Sequence, residues 1–308
     1  MIRLPRCAAV GCGDHLIAQL PQVALQHLQR DRAVFRNQHS HGSTCRSTGV
    51  IPHEAACFRR YNFLVRRIYR NPPLIEALCE LQFQPGQPWD WTIPGRIYER
   101  VQQEYPKRRE MNVLEVDLRA AGTEIEQEVK GGVARMLFLR DDERGVIQVG
   151  HNVLAVNQLE PYSNWETFRK MIEQALGVYA EIAQPAQIRR IGLRYINRIK
   201  LPSVSEAGQF VLFLPQVPEA VPHPPASWAI RVDIPYSVCE HLRLQSAVLI
   251  DVPAILLDIE FATEEPYNPF EHEWRAWLER AHSEIEQVFE ATITPVARKA
   301  FEEERHDE

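Results

Sequence analysis

No stretch of the chain approaches the eighteen or so consecutive apolar residues that cross a bilayer, so the sequence predicts neither a transmembrane helix nor a membrane partner. It also lacks a P-loop, a dinucleotide-type glycine fingerprint ahead of a helix, a nucleophile elbow and a Cys-x-x-Cys pair. Nucleoside triphosphatases, Rossmann oxidoreductases, α/β-hydrolases and zinc ribbons lose their support with those motifs, and no cofactor is implied. The six cysteines (Cys7, Cys12, Cys45, Cys57, Cys79 and Cys239) have no framework spacing. That argues against a secreted disulfide scaffold and for a reduced, cytoplasmic protein.

Lysine is missing from the first 70 residues, which hold eleven arginines against Asp14, Asp31 and Glu54, a balance of +8. Residues 71–308 carry 24 basic and 38 acidic side chains, or −14. Such a negative surface opposes a phosphate backbone and disfavours nucleic acid as a partner of the folded part. The Arg-rich segment shows no sustained hydrophobic period, apart from a marginal helical stretch at 18–28. Residues 1–65 are therefore expected to be a poorly structured extension, as a misplaced start would produce.

What is present is a repeat. Glu160-Pro161-Tyr162-Ser163 returns as Glu265-Pro266-Tyr267-Asn268, each copy between a strand-like run and an amphipathic helix. Ile75, Ala77, Cys79, Leu81 and Phe83 alternate with Glu76, Leu78, Glu80 and Gln82, the two-residue period of a half-buried strand. A short helix is expected over 94–104, then strands at 113–118, 124–129, 135–139, 146–149 and 153–156, with Gly131-Gly132 and 141–145 as hairpin turns. Connections this short demand antiparallel pairing. Ser163, with Glu166 three residues on, predicts a capped helix whose stripe is Trp165, Phe168, Ile172, Leu176 and Tyr179.

The second half repeats this plan. Strands are expected over 188–199, 228–234, 242–249 and 254–261, while 206–214 is ambiguous between helix and strand. Asn268 predicts a helix cap, with Pro269 in the first turn and a stripe of Phe270, Trp274, Trp277, Ala281, Ile285 and Val288. The expected fold is α+β in two similar halves, 66–184 and 185–295, each an antiparallel sheet packed by one long amphipathic helix. Residues 296–308 are expected to form a charged, fraying tail.

The stretches Asn71-Pro72-Pro73-Leu74-Ile75-Glu76-Ala77-Leu78-Cys79-Glu80, Val156-Asn157-Gln158-Leu159-Glu160-Pro161-Tyr162 with Trp165, and Arg190-Ile191-Gly192-Leu193-Arg194-Tyr195-Ile196-Asn197-Arg198-Ile199 resemble motifs of a sporadically distributed family of uncharacterised bacterial proteins. The resemblance spans about 68–292 and implies no activity. Members of that family begin near the Asn-Pro-Pro segment, which again marks residues 1–65 as an extension.

Candidate chemistry centres on one strand. Arg190, Arg194 and Arg198 share a face with Gly192 between the first two, each about 13 Å from the next, a spread too wide to clamp a single phosphate. Glu76, Glu80, Asp258, Glu260 and Asp233 lie on other predicted strands and can pair with them. Two readings stay open, a structural ion-pair lattice or a polar groove between the halves that takes a protein partner or small ligand. Gly192 marks either a close approach or room for a neighbouring helix. No metal site is expected: Cys7, Cys12 and His15 lack a second pair, and His272 and His282 are ten residues apart and expected in solvent. Cys239 and His241 lack an orienting group, so no catalytic residue is assigned. The function expected is non-catalytic binding through Arg190, Arg194, Arg198, Glu76, Glu80, Asp258 and Glu260. The alternative is an enzyme of unknown reaction with those groups lining a central cavity.

Overall fold

A computed structural model describes residues 67–121, 124–218, 220–221, 223, 225–249 and 252–304, with the backbone alone at 112–121, 124–134 and 304. The expectations placed on residues 1–65, including the Cys7, Cys12 and His15 grouping, lie outside the described residues. In chain order the elements are β1 (Ile68–Tyr69), β2 (Leu74–Gln84), α1 (Thr92–Val101), β3 (Lys107–Ala121), β4 (Glu124–Leu139), β5 (Gly145–Gly150), β6 (Val153–Leu159), α2 (Trp165–Ala183) and β7 (Gln187–Lys200). A 3-10 turn (Val204–Glu206) and α3 (Ala207–Phe210) follow. The chain then forms β8 (Ala229–Pro235), β9 (Glu240–Leu249), β10 (Ala254–Thr263), α4 (Glu273–Thr292), α5 (Pro295–Ala300) and β11 (Glu303–Glu304).

The protein is α+β. Nine strands form one sheet in the order β3-β4-β5-β6-β2-β7-β10-β9-β8, and every pair from β4 to β8 is antiparallel. The two runs of strands share this sheet, because β2 and β7 hydrogen-bond to each other at its centre. Among the described residues, 67–112 and 133–304 belong to one compact unit and 113–121 and 124–132 to a second. Of the second unit the backbone of these strand residues is described. Gly131 and Gly132 lie inside β4 and not in the expected turn; the β3–β4 connection, 122–123, is outside the described residues.

The core lies between one sheet face and the helices. Ala77, Cys79, Leu81 and Phe83 of β2, Ile191 and Leu193 of β7, and Leu257, Ile259 and Phe261 of β10 meet Phe168, Ile172, Leu176 and Tyr179 of α2 and Trp274, Trp277, Leu278 and Ile285 of α4. Fully burying one such aliphatic or phenyl side chain contributes about 1.5–3 kcal/mol. Phe83 stacks on Tyr179 at 4.5 Å between centroids and Phe261 on Trp277 at 5.9 Å, so each long helix is pinned to the sheet by an aromatic pair.

Three local expectations are corrected. The cap of α2 is Asn164, whose Oδ1 accepts the Thr167 N–H at 2.8 Å, while Ser163 Oγ accepts from Gln158 Nε2 at 2.7 Å. Asn164 has the extended backbone that an N-cap needs, and its shorter reach to Thr167 decides between the neighbours. Asn268 does not cap α4. It forms a local turn, accepting from Phe270 N–H at 3.0 Å and donating to Glu271 at 2.8 Å, so the helix starts at Glu273 and Phe270 is left 61% exposed.

The third concerns the C-terminal residues. Thr294 caps α5, Phe301 is buried against Tyr69 and Phe289, and Glu303 and Glu304 pair with Tyr69 and Ile68. One aromatic anchor thus orders a segment whose charge alone read as a tail. The 206–214 ambiguity resolves into the short α3 followed by extended chain. Among the described residues no helix is long and apolar enough to cross a membrane.

Candidate functional site

Strand alternation assigns the faces. On β7, Leu193, Tyr195 and Ile199 turn into the core, and Arg190, Arg194 and Arg198 turn to the opposite face of the sheet. Because β2 meets β7 edge to edge, the polar groups expected at the junction of the halves lie on that face.

Register then chooses the neighbours. Glu260 and Asp258 of β10 sit opposite Arg194 and Ile196; Arg243 and Gln245 of β9 sit opposite Glu260 and Asp258; Asp233 of β8 sits opposite Arg243. On the other flank, Glu80 and Glu76 of β2 sit opposite Gly192 and Ile196, and Asn157 of β6 opposite Leu78.

These groups bond into a lattice. Arg194 grips Asp258 with two nitrogens, Nε to Oδ1 at 2.7 Å and Nη2 to Oδ2, and Gln245 Nε2 donates to the same Oδ2 at 3.1 Å. Glu260 lies between two guanidiniums: Arg190 Nη2 donates to Oε1 at 2.7 Å and Arg243 Nη1 to Oε2 at 2.8 Å. Arg243 Nε also donates to Asp233 at 2.8 Å. Arg135 Nη2 donates to Glu80 at 2.9 Å, and Arg190 Nη1 stands 3.9 Å from the same carboxylate. Asn157 donates through Nδ2 to Glu76, and its Oδ1 accepts from Gln148 Nε2 at 2.9 Å.

The middle of the lattice is dry. Glu76, Glu80, Arg194, Asp258 and Glu260 are each 2–8% exposed. Burial by itself would raise the pKa of Glu260; the charges of Arg190, Arg194 and Arg243 outweigh it and hold the carboxyl at about 2. Burial likewise opposes the charge of Arg194, and Asp258, Glu260 and Glu76 reverse that and lift it. Glu76 behaves oppositely to Glu260. No ion pair within 4 Å reaches it among the described residues, and burial pushes its carboxyl up in spite of the Asn157 bond and the charge of Arg194. A carboxylate held near 2 exchanges no proton around neutrality, so Glu260 is a fixed charge.

Six of the seven sequence candidates therefore come together: Glu76, Glu80, Arg190, Arg194, Asp258 and Glu260. Arg198 leaves the group and binds Glu160, at 2.8 and 3.1 Å, at a more exposed margin. Each arginine of the trio has its own carboxylate, as their spacing along β7 requires. Gly192 is a close approach made by side chains: a β-carbon there would stand 2.8 Å from both Arg190 Nη1 and Glu260 Oε1.

The sequence reading missed Arg135, Gln148, Asn157, Arg243 and Gln245. The signal for two of them was the alternation of His241, Arg243 and Gln245 with Leu242 and Leu244 along β9, the same period that exposed the β7 arginines. Asn157, noted in the sequence only as part of a motif, is a buried strand residue. Cys239 belongs to the turn before β9, and His241 lies on the charged face, where burial and then Arg190 and Arg243 lower its pKa.

A second polar cluster sits on the helix side. His282, expected in solvent, is buried: it stacks on Trp165 at 4.3 Å, its Nδ1 is 2.8 Å from the Tyr195 hydroxyl, and its Nε2 is 3.2 Å from Glu286. Burial raises the Tyr195 pKa well above the ordinary value, so the phenol keeps its proton. Trp165 Nε1 donates to Glu279 of α4 at 2.7 Å and so joins α2 to α4. Among the described residues no group of three or more His, Cys, Asp or Glu side chains is placed to hold a metal ion.

Compared with protein-family models and with curated proteins, the chain matches none.

Proposed function

We propose that the protein works by non-catalytic binding, of a protein partner or a small ligand, at the charged sheet face along the β2–β7 junction. The observation that carries this reading is the closure of the lattice. Arg190, Arg194 and Arg243 are spent on Asp258, Glu260 and Asp233, and Glu260 is locked in its ionised form. Such a face holds a fixed pattern of charge rather than a group poised for proton transfer. Contact falls at its open margin, where Arg198 and Glu160 keep 26% and 49% of their side-chain surface. The rival, an enzyme working from this face, rests on Glu76, the buried carboxyl whose pKa is raised.

The test is co-purification of the tagged full chain from its native host beside Arg198→Glu. A partner held by the wild type and lost by a variant of unchanged melting temperature supports the reading. A partner held equally by both overturns it, as does turnover of a small molecule abolished by Glu76→Gln.

The finer architecture belongs to the same proposal. The chain is read as one unit used twice, with β2, β6, β5 and β4 answering to β7, β10, β9 and β8. Supporting this, β2 and β7 are central neighbours, and the strands next to them, β6 and β10, each lead through Glu-Pro-Tyr into a long helix. The strand-borne motifs at 71–80, 156–165 and 190–199 support membership in the sporadically distributed bacterial family, and the buried thiol of Cys79 fits a reduced cytoplasmic setting.

A further inference from the structure

We propose that β8 is a self-association edge, on which a second copy of this chain pairs antiparallel about Val232, joining two sheets into one. The inference does not rest on the binding reading above.

β8 ends the nine-stranded sheet, and all its residues but Ile230 are exposed. Its free bonding positions follow from the ladder to β9. Val248 N–H donates to Trp228 O at 3.1 Å and Tyr236 N–H to Glu240 O at 2.9 Å. With the β8–β9 register between them, Ile230, Val232 and Ile234 direct their backbone groups to β9. Ala229, Arg231 and Asp233 therefore present N–H and C=O outward, an edge that no further strand covers among the described residues and that natural proteins usually blunt.

The sequence of this edge is complementary to itself in one register. An antiparallel mate must set outward-facing residues opposite one another. Centred on Arg231 or on Asp233, the pairing stacks like charges. Centred on Val232, it sets each Arg231 against the second copy's Asp233, twice over, and also sets Ile230 against Ile234 and Val232 against itself on the other face. Arg231 and Asp233 are 42% and 46% exposed as side chains, and Val232 and Ile234 are 42% and 37% exposed, so both faces have surface to lose. Arg231 already holds Asp233 of its own strand at 2.9 Å, and Asp233 is shared with Arg243. Pairing exchanges the first contact and keeps the second. Pro235, with no N–H, falls at the end of the strand, where one ladder bond per copy is forfeited.

Two measurements on the full chain test this. Val232→Cys brings a thiol against its twin in a non-hydrogen-bonded pair, with α-carbons about 4.5 Å apart, a separation a disulfide spans. Under mild oxidation it should cross-link into a dimer, and Arg231→Cys and Asp233→Cys should do so far less. In sedimentation, Arg231→Glu alone and Asp233→Lys alone should each fall from dimer to monomer while melting as the wild type does. Mixed together they should recover the dimer, since only the mixed pair opposes unlike charges. A monomeric wild type, equal cross-linking at the three positions, or a dimer that survives both charge variants overturns the proposal. If a charge variant fails to fold, the cross-linking comparison decides.

Discussion

Arg190 reaches the carboxylate of Glu260 directly across the α-carbon of Gly192, and the contact exists because position 192 has no side chain. A β-carbon there would overlap the Arg190 guanidinium and the Glu260 oxygen together. Both atoms end flexible side chains, but the Glu260 carboxylate is also held by Arg243, and Arg190 Nη1 lies buried 3.9 Å from Glu80.

Gly192→Ala should therefore destabilise the protein by about 1–3 kcal/mol, the range for overpacking a closed site. Urea unfolding of the variant gives the value. A midpoint equal to or above that of the wild type would mean the pair does not cross at this position.

Glu260 should govern acid stability. Its carboxyl sits at about 2 in the folded chain against an ordinary 4.5, a difference worth roughly 3 kcal/mol. A depressed folded value means the unfolded chain takes up the proton first. The contribution is complete above about pH 5 and fades as pH falls from 4.5 towards 2. Glu260→Gln should be markedly less stable than the wild type at pH 7, and the gap should close towards pH 2. A gap that stays constant with pH would show that Glu260 is not the group concerned.

Glu76 should act with the opposite sign. Its folded pKa is raised, so the folded state takes the proton first, and stability is gained as pH falls through the folded value towards 4.5. Glu76→Gln removes a buried charge that has no ion pair among the described residues, while its carbonyl can still accept from Asn157. At pH 7 the variant should match or exceed wild-type stability, and the advantage should vanish near pH 4. Greater loss at pH 7 than at pH 4 would refute the assignment.

At the start of α2, Asn164→Ala should cost about 1 kcal/mol through the lost cap. Ser163→Ala, which removes only the acceptor of Gln158, should cost less. Thermal melts of the two variants rank the neighbours directly, and the reverse order would return the cap to Ser163.

Much of the framework was legible because periodicity is a local property. The alternation along β2 and β7 marked both strands and separated the arginine face from the core face. The helical stripes of α2 and α4 named most of the aromatic residues that pack the sheet. The same logic failed at ends and turns. Asn268 satisfied an Asx turn instead of a helix end, and Gly131-Gly132 ran on as strand. In both places the local signal supports two backbone conformations, and neighbouring strands or side chains choose between them. His282 was misplaced for a related reason: a histidine on an amphipathic helix reads as polar until Trp165, far from it in sequence, stacks on it and Tyr195 bonds it.

By itself the sequence determined where the central strands and the two long helices run and which side of β7 carries charge, since each follows from a spacing of two or of three to four along the chain. Tertiary structure alone decided who pairs with whom. Arg194 takes Asp258 although Glu260 stands opposite it, Glu76 is left with an amide, and Phe301 ties the C-terminal residues to Tyr69. Those choices depend on register between strands far apart in sequence and on how much water each group loses, and neither quantity is written in any single segment.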